Sequence, residues 1–216
     1  MEHQSAKIRP RFLERMGHFF RGPNPLHPGV WEGRLRPLTF RRFDIADLPQ
    51  CLALYKLNEP GRFPERVRDH YEECLRSGRT YVLVAEDEGR IVATGGMNIF
   101  LKPHIAVLSY GLVRPDYHGK GIGTALLLAR LALLSNKEPV YRVLIFAVRK
   151  SFVFYQRFGF RPYTAWHDKQ GVAHPSGQLI ITIAEAQQCR KLLADHGISV
   201  PHDEDKVPFL QKRQDI

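Results

Sequence analysis

Two short segments hold the residue types that chemistry would use. The first, V-R-P-D-Y-H-G-K-G-I-G-T-A-L-L-L over residues 113–128, joins an apolar run to an apolar helical pattern through three alternating glycines, Gly119, Gly121 and Gly123. Pro115 cannot donate to a sheet ladder and ends the run before it. Glycines at a helix start let an anion approach the backbone, where unpaired amides and the dipole favour negative charge. His118 and Lys120 add side-chain donors, so the turn reads as a cradle for phosphate or pyrophosphate. Two common phosphate patterns do not fit. G-x-x-x-x-G-K-[ST] is broken because Gly119-Lys120 is followed by Gly121, and G-x-G-x-x-G puts Thr124 or Leu126 where its last glycine belongs. The competing reading is that the glycines only permit close packing of helix on strand.

The second segment is S-F-V-F-Y-Q-R-F-G-F over residues 151–160. Its Tyr155 stands among Phe152, Phe154 and Phe158, and periodicity alone makes it a core aromatic.

Together the two segments resemble the GNAT superfamily of N-acyltransferases. The first resembles the acyl-CoA motif [RQ]-x-x-G-x-[GA], with His118 where Arg or Gln is usual and Gly121 and Gly123 at the glycines. The second resembles A-x-x-F-Y-x-x-x-G-F, with Ser151 at the first position and Tyr155 at the tyrosine. The resemblance implies that the turn from His118 through Gly119, Lys120, Gly121, Ile122, Gly123 and Thr124 holds the CoA pyrophosphate. It implies that the strand ending at Leu112 and Val113 pairs with the pantetheine arm. It also places Ser151 at the cofactor, and makes Tyr155 the acid that protonates the departing thiolate. Acetyl-CoA, or another acyl-CoA, is then the cosubstrate. A bulge is implied in the strand around Gly111, opening the cofactor slot. Two positions depart from the pattern. His118 removes a fixed positive charge without harming the backbone cradle, and Val148 stands where an asparagine is common.

Direct attack of an amine on a thioester needs a donor for the oxyanion, a base for the amine proton and an acid for the thiolate. Backbone amides at 111–113 could serve the oxyanion, and a phenol carries its proton at neutral pH. The base is not evident, because the strand I-A-V-L-S-Y-G-L-V over residues 105–113 has no carboxylate. Ser109 or Tyr110 could hold a relay water, and Glu59 and Glu86 are the other candidates, each read first as a surface acid. No metal is expected. Cys51, Cys74 and Cys189 lack C-x-x-C spacing, and His167, Asp168 and His174 lack helical spacing.

These segments need a scaffold. Residues 35–43 read as a strand, 45–57 as a helix capped by Asp44, and 64–76 as a second helix. Residues 80–86 and 91–100 read as a hairpin, and 105–113 as another strand. The glycine turn opens a helix over 119–134. Then follow a strand at 140–148, a helix at 150–158, strands at 160–166 and 178–184, and a helix at 185–196 ended by Gly197. The class is α+β, or mixed α/β, with a mostly antiparallel sheet of about seven strands flanked by helices. The GNAT-like acyltransferase domain is read as 35–184, between a basic extension at 1–34 and a C-terminal helix and tail at 185–216, with 201–216 mobile.

Residues 1–42 carry nine lysines and arginines against three acids, within a chain of net charge +10. A basic balance attracts polyanions, but no nucleic-acid motif accompanies it. No apolar leader or membrane-length run is evident, and the cysteine usage fits a reducing compartment, so the reading is cytoplasmic. The partners are an acyl-CoA and an amine acceptor, with the closing strands and last helix as a dimer edge. The alternatives kept are an acyl-CoA-binding or partner-docking module without turnover, and nucleic-acid binding through the basic arm.

Overall fold

The computed structural model describes residues 35–59, 67–100, 104–147, 149–167, 171 and 173–210. The basic extension 1–34, the start of the second helix at Pro64, Val148, Asp168 and the last six residues lie outside these.

The chain runs β1 (Leu38–Arg42), a 3-10 turn (Ile45–Asp47), α1 (Leu48–Asn58), α2 (Val67–Ser77), β2 (Tyr81–Asp87), β3 (Arg90–Phe100) and β4 (Ile105–Val113). A second 3-10 turn (Pro115–Tyr117) leads to α3 (Ile122–Leu131), β5 (Val140–Phe146), α4 (Arg149–Gln156), β6 (Arg161–His167), β7 (Ala173–Thr182) and α5 (Ile183–Asp195). Two short strands follow, β8 (Ile198–Ser199) and β9 (Phe209–Leu210). The order of the long elements is the expected one. One sheet, ordered β6-β7-β5-β4-β3-β2-β1-β8 with β9 against β3, holds every strand among the described residues, nine rather than about seven. Each additional strand is two residues long and pairs in parallel, β8 on β1 and β9 on β3. Pairing is otherwise antiparallel except between β4 and β5.

The sheet is buried on both faces. Tyr81, Leu83 and Ala85 of β2 enter a core shared with α3 and α5, while Val82 and Val84 enter a second core under α1 and α2. That explains why the central strands read as unbroken apolar runs.

Four boundaries differ from the sequence reading, each for a local reason. Asp44 caps the 3-10 turn that precedes α1: it accepts from Ala46 N–H at 2.9 Å, and Asp47 accepts from Asp44 N–H at 2.8 Å. α3 ends at Leu131 because its last carbonyls tighten to i+3 partners, Leu133 N–H on Arg130 and Leu134 N–H on Leu131, both 3.2 Å. α5 starts at Ile183 because Thr182 and Glu185 form a reciprocal capping box. The segment 201–210 is not a free tail. Arg190 of α5 donates to the carbonyls of Val200 and Pro201 (both 3.1 Å) and Ala132 (3.2 Å) and pairs with the Glu204 carboxylate. Asp203 accepts from the buried Tyr81 hydroxyl at 2.8 Å and pairs with Lys206 at 2.8 Å.

Candidate active site

The site begins where β4 loses its neighbour. β4 pairs with β5 only from Ile105↔Arg142 to Leu108↔Ile145, and among the described residues no sheet pairing continues on that side. Pairing with β3 persists but slips: Thr94 faces Leu112 and Gly96 faces Ser109, leaving Tyr110 and Gly111 opposite Gly95. This is the bulge that the resemblance implied. Tyr110 takes φ 45°, a conformation most side chains avoid. The extra residue also reverses which face the strand presents. Ala106 and Leu108 join the α3 core, whereas Leu112 and Tyr110 pack with α1 and α2.

Beyond the open edge of β4 lies the glycine turn. Gly119 and Gly121 hold φ 77° and 80°, which glycine adopts without strain. Gly121 is the N-cap of α3 and supplies no side-chain cap. The first ladder bond is Ala125 N–H to the Gly121 carbonyl at 2.9 Å, so the amides of Ile122, Gly123 and Thr124 precede the ladder. A methyl group on Gly119 would meet nothing within 4 Å, so the turn faces open space. One on Gly123 would touch Phe154 at 3.7 Å and Val113 at 3.9 Å, ordinary contact. Close packing therefore does not account for Gly119 and does not require glycine at 123, while the left-handed backbone accounts for glycine at 121.

The side-chain donors of the turn are exposed but already hold contacts within the chain. His118 Nε2 donates to the Val113 carbonyl at 3.0 Å, tying the turn to the strand end. Lys120 Nζ lies 4.8 Å from the Tyr117 ring centroid and the Arg36 guanidinium 5.0 Å. Tyr117 donates to Asp87 at 2.8 Å, and Arg36 pairs with Asp87 at 3.0 Å. The Asp87 carboxylate, then desolvation, raises the Tyr117 phenol. Arg36 was read only as one of the basic residues of 1–42 within the expected first strand, whereas β1 begins at Leu38 and leaves Arg36 free to reach Asp87 and Tyr117.

α4 supplies the remaining pieces. Phe152 seats it on β7 at Gly177, where a methyl group would stand 2.6 Å from the Phe152 ring. Tyr155 is half-buried and edge-on to Phe154 (5.1 Å) and Phe160 (5.4 Å), with Ser151 one turn earlier. Its hydroxyl looks into a gap left by Gly111. A methyl group there would lie 3.3 Å from Tyr155 Oη and also 3.3 Å from Arg130 Nη2, although Gly111 itself is exposed. The structure thus brings Leu112, Val113, residues 118–124, Ser151 and Tyr155 to one end of the sheet. It adds Arg130, which is only 2% exposed.

The candidate bases separate. Glu86 pairs with Arg41 at 3.0 Å, and Arg41 also grips Asp47 at 2.7 Å. Glu59 follows α1, and its Oε1 is buried with no hydrogen-bond partner among the described residues. The Tyr55 phenol is raised, first by burial and then by the Glu59 charge. Ser109 Oγ is likewise buried without a hydrogen-bond partner among the described residues. The Tyr110 ring lies tilted against Tyr71 with centroids 4.9 Å apart, and burial pushes its phenol up to about 12. Among the described residues no three His, Cys, Asp or Glu side chains cluster as metal ligands, and no helix is long and apolar enough to cross a membrane.

Residues 78–162 match the family profile described as an acetyltransferase (GNAT) domain. Solved structures share the fold. One described as a GNAT-family acetyltransferase, from Desulfovibrio desulfuricans, aligns with TM-score 0.55 at 16% identity, over 68% of this chain and 99% of its own. The PaiA N-acetyltransferase of Thermoplasma acidophilum, solved with coenzyme A, aligns with TM-score 0.51 at 18% identity, over 67% of this chain and all of its own. At these identities the likeness is one of architecture.

Proposed function

We propose that this chain, which carries a GNAT acetyltransferase domain across residues 78–162, transfers an acyl group, acetyl foremost, from acyl-CoA to a primary amine. GNAT domains use acetyl-CoA as cosubstrate, and the PaiA relative was solved with coenzyme A. One observation carries the reading: the open edge of β4, the uncapped start of α3 and the Tyr155 hydroxyl meet at the same end of the sheet. The amides of the turn from Gly119 to Thr124 suit a pyrophosphate. The unpaired edge at Leu112 and Val113 suits an extended amide-bearing arm, which would add to the sheet as a strand.

In this reading the amine nitrogen bonds to the thioester carbonyl carbon while the carbon–sulfur bond breaks. Tyr155 gives its phenolic proton to the sulfur and recovers one from solvent. The bulged backbone at 110–112 serves the oxyanion. Glu59 is the carboxylate left to take the amine proton, directly or through water, because Glu86 is engaged by Arg41. The free cysteines Cys51, Cys74 and Cys189 fit a reducing, cytoplasmic setting.

The test is calorimetric titration of acetyl-CoA into the wild type and Gly121→Glu, followed by an amine panel scored for free CoA. Micromolar binding lost in the variant, with CoA released by some amine, supports the reading. Binding without release for any amine favours the non-catalytic module. A folded wild type that binds neither acetyl-CoA nor longer acyl-CoAs overturns the cofactor assignment.

A further inference from the structure

The run from Leu126 to Leu134, which takes in the end of α3, is apolar except at Arg130, and Arg130 is buried. Moving a guanidinium out of water is expensive unless a carboxylate and a full set of acceptors receive it. Arg130 has neither. Among the described residues no carboxylate pairs with it, and its hydrogen bonds are two long ones to carbonyls, Nε to Leu126 at 3.3 Å and Nη1 to Ser109 at 3.5 Å. A guanidinium has five N–H donors, so most of its capacity is unspent. Two strands nevertheless give up side chains around it. A methyl on Gly95 would stand 3.1 Å from Nε, and one on Gly111 would stand 3.3 Å from Nη2. The Gly111 gap is the one that the Tyr155 hydroxyl faces.

We propose that Arg130 is the charge partner of the leaving sulfur, holding the CoA thiolate that forms at the Gly111 gap until Tyr155 protonates it. The inference rests on the acyl-transfer reading above and deepens it. As the carbon–sulfur bond breaks, its electron pair goes to sulfur, and the Tyr155 proton neutralises it. A fixed cation at the gap is preorganised for that charge and needs no reorientation when the charge appears. Around Arg130 the other titratable groups are placed elsewhere. Among the described residues α4 brings Tyr155 to the same gap, while β3 and β4 present glycines and the Ser109 carbonyl. Tyr110 of β4 packs on the other face, against Tyr71. On α5, Glu185 caps its own helix, Arg190 pairs with Glu204, and the Cys189 thiol is buried and pushed well up by desolvation.

The experiment is calorimetric titration of CoA and of dethio-CoA, from about pH 6 to about pH 9, into the wild type, Arg130→Met and Arg130→Lys. If Arg130 stabilises the thiolate, the bound thiol ionises below the free thiol, near 8.5 for a cysteine. Wild-type affinity for CoA then rises with pH, about tenfold for a one-unit lowering, while affinity for dethio-CoA stays flat. Arg130→Met should lose the rise yet bind dethio-CoA within about twofold of wild type, and Arg130→Lys should recover part of it. An equal rise in Arg130→Met, or no rise in a wild type that binds both ligands, overturns the inference alone. A wild type that binds neither ligand overturns the acyl-CoA reading and this inference with it.

Discussion

Two arginines on adjacent, packed helices are treated in opposite ways. Arg190 on α5 spends its donors on three carbonyls at 3.1–3.2 Å and on the Glu204 carboxylate, with its side chain 20% exposed. Arg130 on α3 is deeper, at 2% exposure, and has only two long carbonyl contacts. Arg190 does what a structural cation does: it ties the end of α3, the chain after β8 and the turn before β9 into one clasp. Among the described residues Arg130 joins α3 to β4 only through the 3.5 Å contact with the Ser109 carbonyl. A buried cation so loosely held, beside the Tyr155 hydroxyl, contrasts working at the sheet's open end with holding the sheet together.

The largest effect should come from the cleft. Tyr155→Phe keeps the rings that pack against Phe154 and Phe160 and removes only the proton. General-acid removal typically lowers kcat by about 10²–10⁴, while acetyl-CoA affinity should stay within about twofold. Steady-state kinetics with an active amine, paired with calorimetry, reads both. Unchanged kcat takes Tyr155 out of the mechanism and leaves the cleft no more chemical than the clasp.

Next comes the direct exchange of the two arginines for methionine. Arg190→Met strands Glu204 and three carbonyls and should cost about 2–4 kcal/mol in urea or thermal unfolding. Arg130→Met removes a buried, unpaired charge from an apolar helix and should be neutral or stabilising by about 1 kcal/mol, while slowing turnover. If Arg130→Met is the more destabilising of the two, its guanidinium is a structural tie and the contrast collapses.

The sequence showed one half of this contrast better than the other. The glycine turn and the Tyr155 register were legible because their residues are close along the chain and their chemistry depends on backbone conformation and spacing. The bulge was legible only through Gly111 and the resemblance. Arg130 was visible as a single charge in an apolar helix. What made it matter, the glycines at 95 and 111 and the Tyr155 hydroxyl, comes from three other elements that only the folded sheet brings together. His118 read as a donor for phosphate, but spacing cannot foresee a ring that bonds back to the Val113 carbonyl. The clasp was missed for a different reason. Strands of two residues, such as β8 and β9, are too short to show a period of two, so 201–210 read as tail. The Thr182–Glu185 capping box was present in the sequence, yet the β-rich run before it carried the strand reading two residues too far.

The smallest effect concerns how the clasp fails in acid. Asp203 is held by Lys206, and then by the Tyr81 hydroxyl, below the ordinary aspartate value of 3.8. Tyr81 is buried, and desolvation followed by the Asp203 contact pushes its phenol well up. A carboxylate with a lowered folded value contributes stability above its unfolded value and loses it as pH falls through the folded one. The clasp should therefore be indifferent from neutrality down to about pH 4 and loosen below that. Around Arg130 no described carboxylate waits to be protonated, so the cleft end of α3 should not follow. Hydrogen exchange measured down that range should show 198–210 losing protection before α3, and Asp203→Asn should lower the protection of 198–210 at neutral pH and flatten its acid dependence. Simultaneous loss in both segments would mean that clasp and cleft open as one cooperative unit, and that Arg190 and Arg130 differ in their partners without dividing the molecule into two parts.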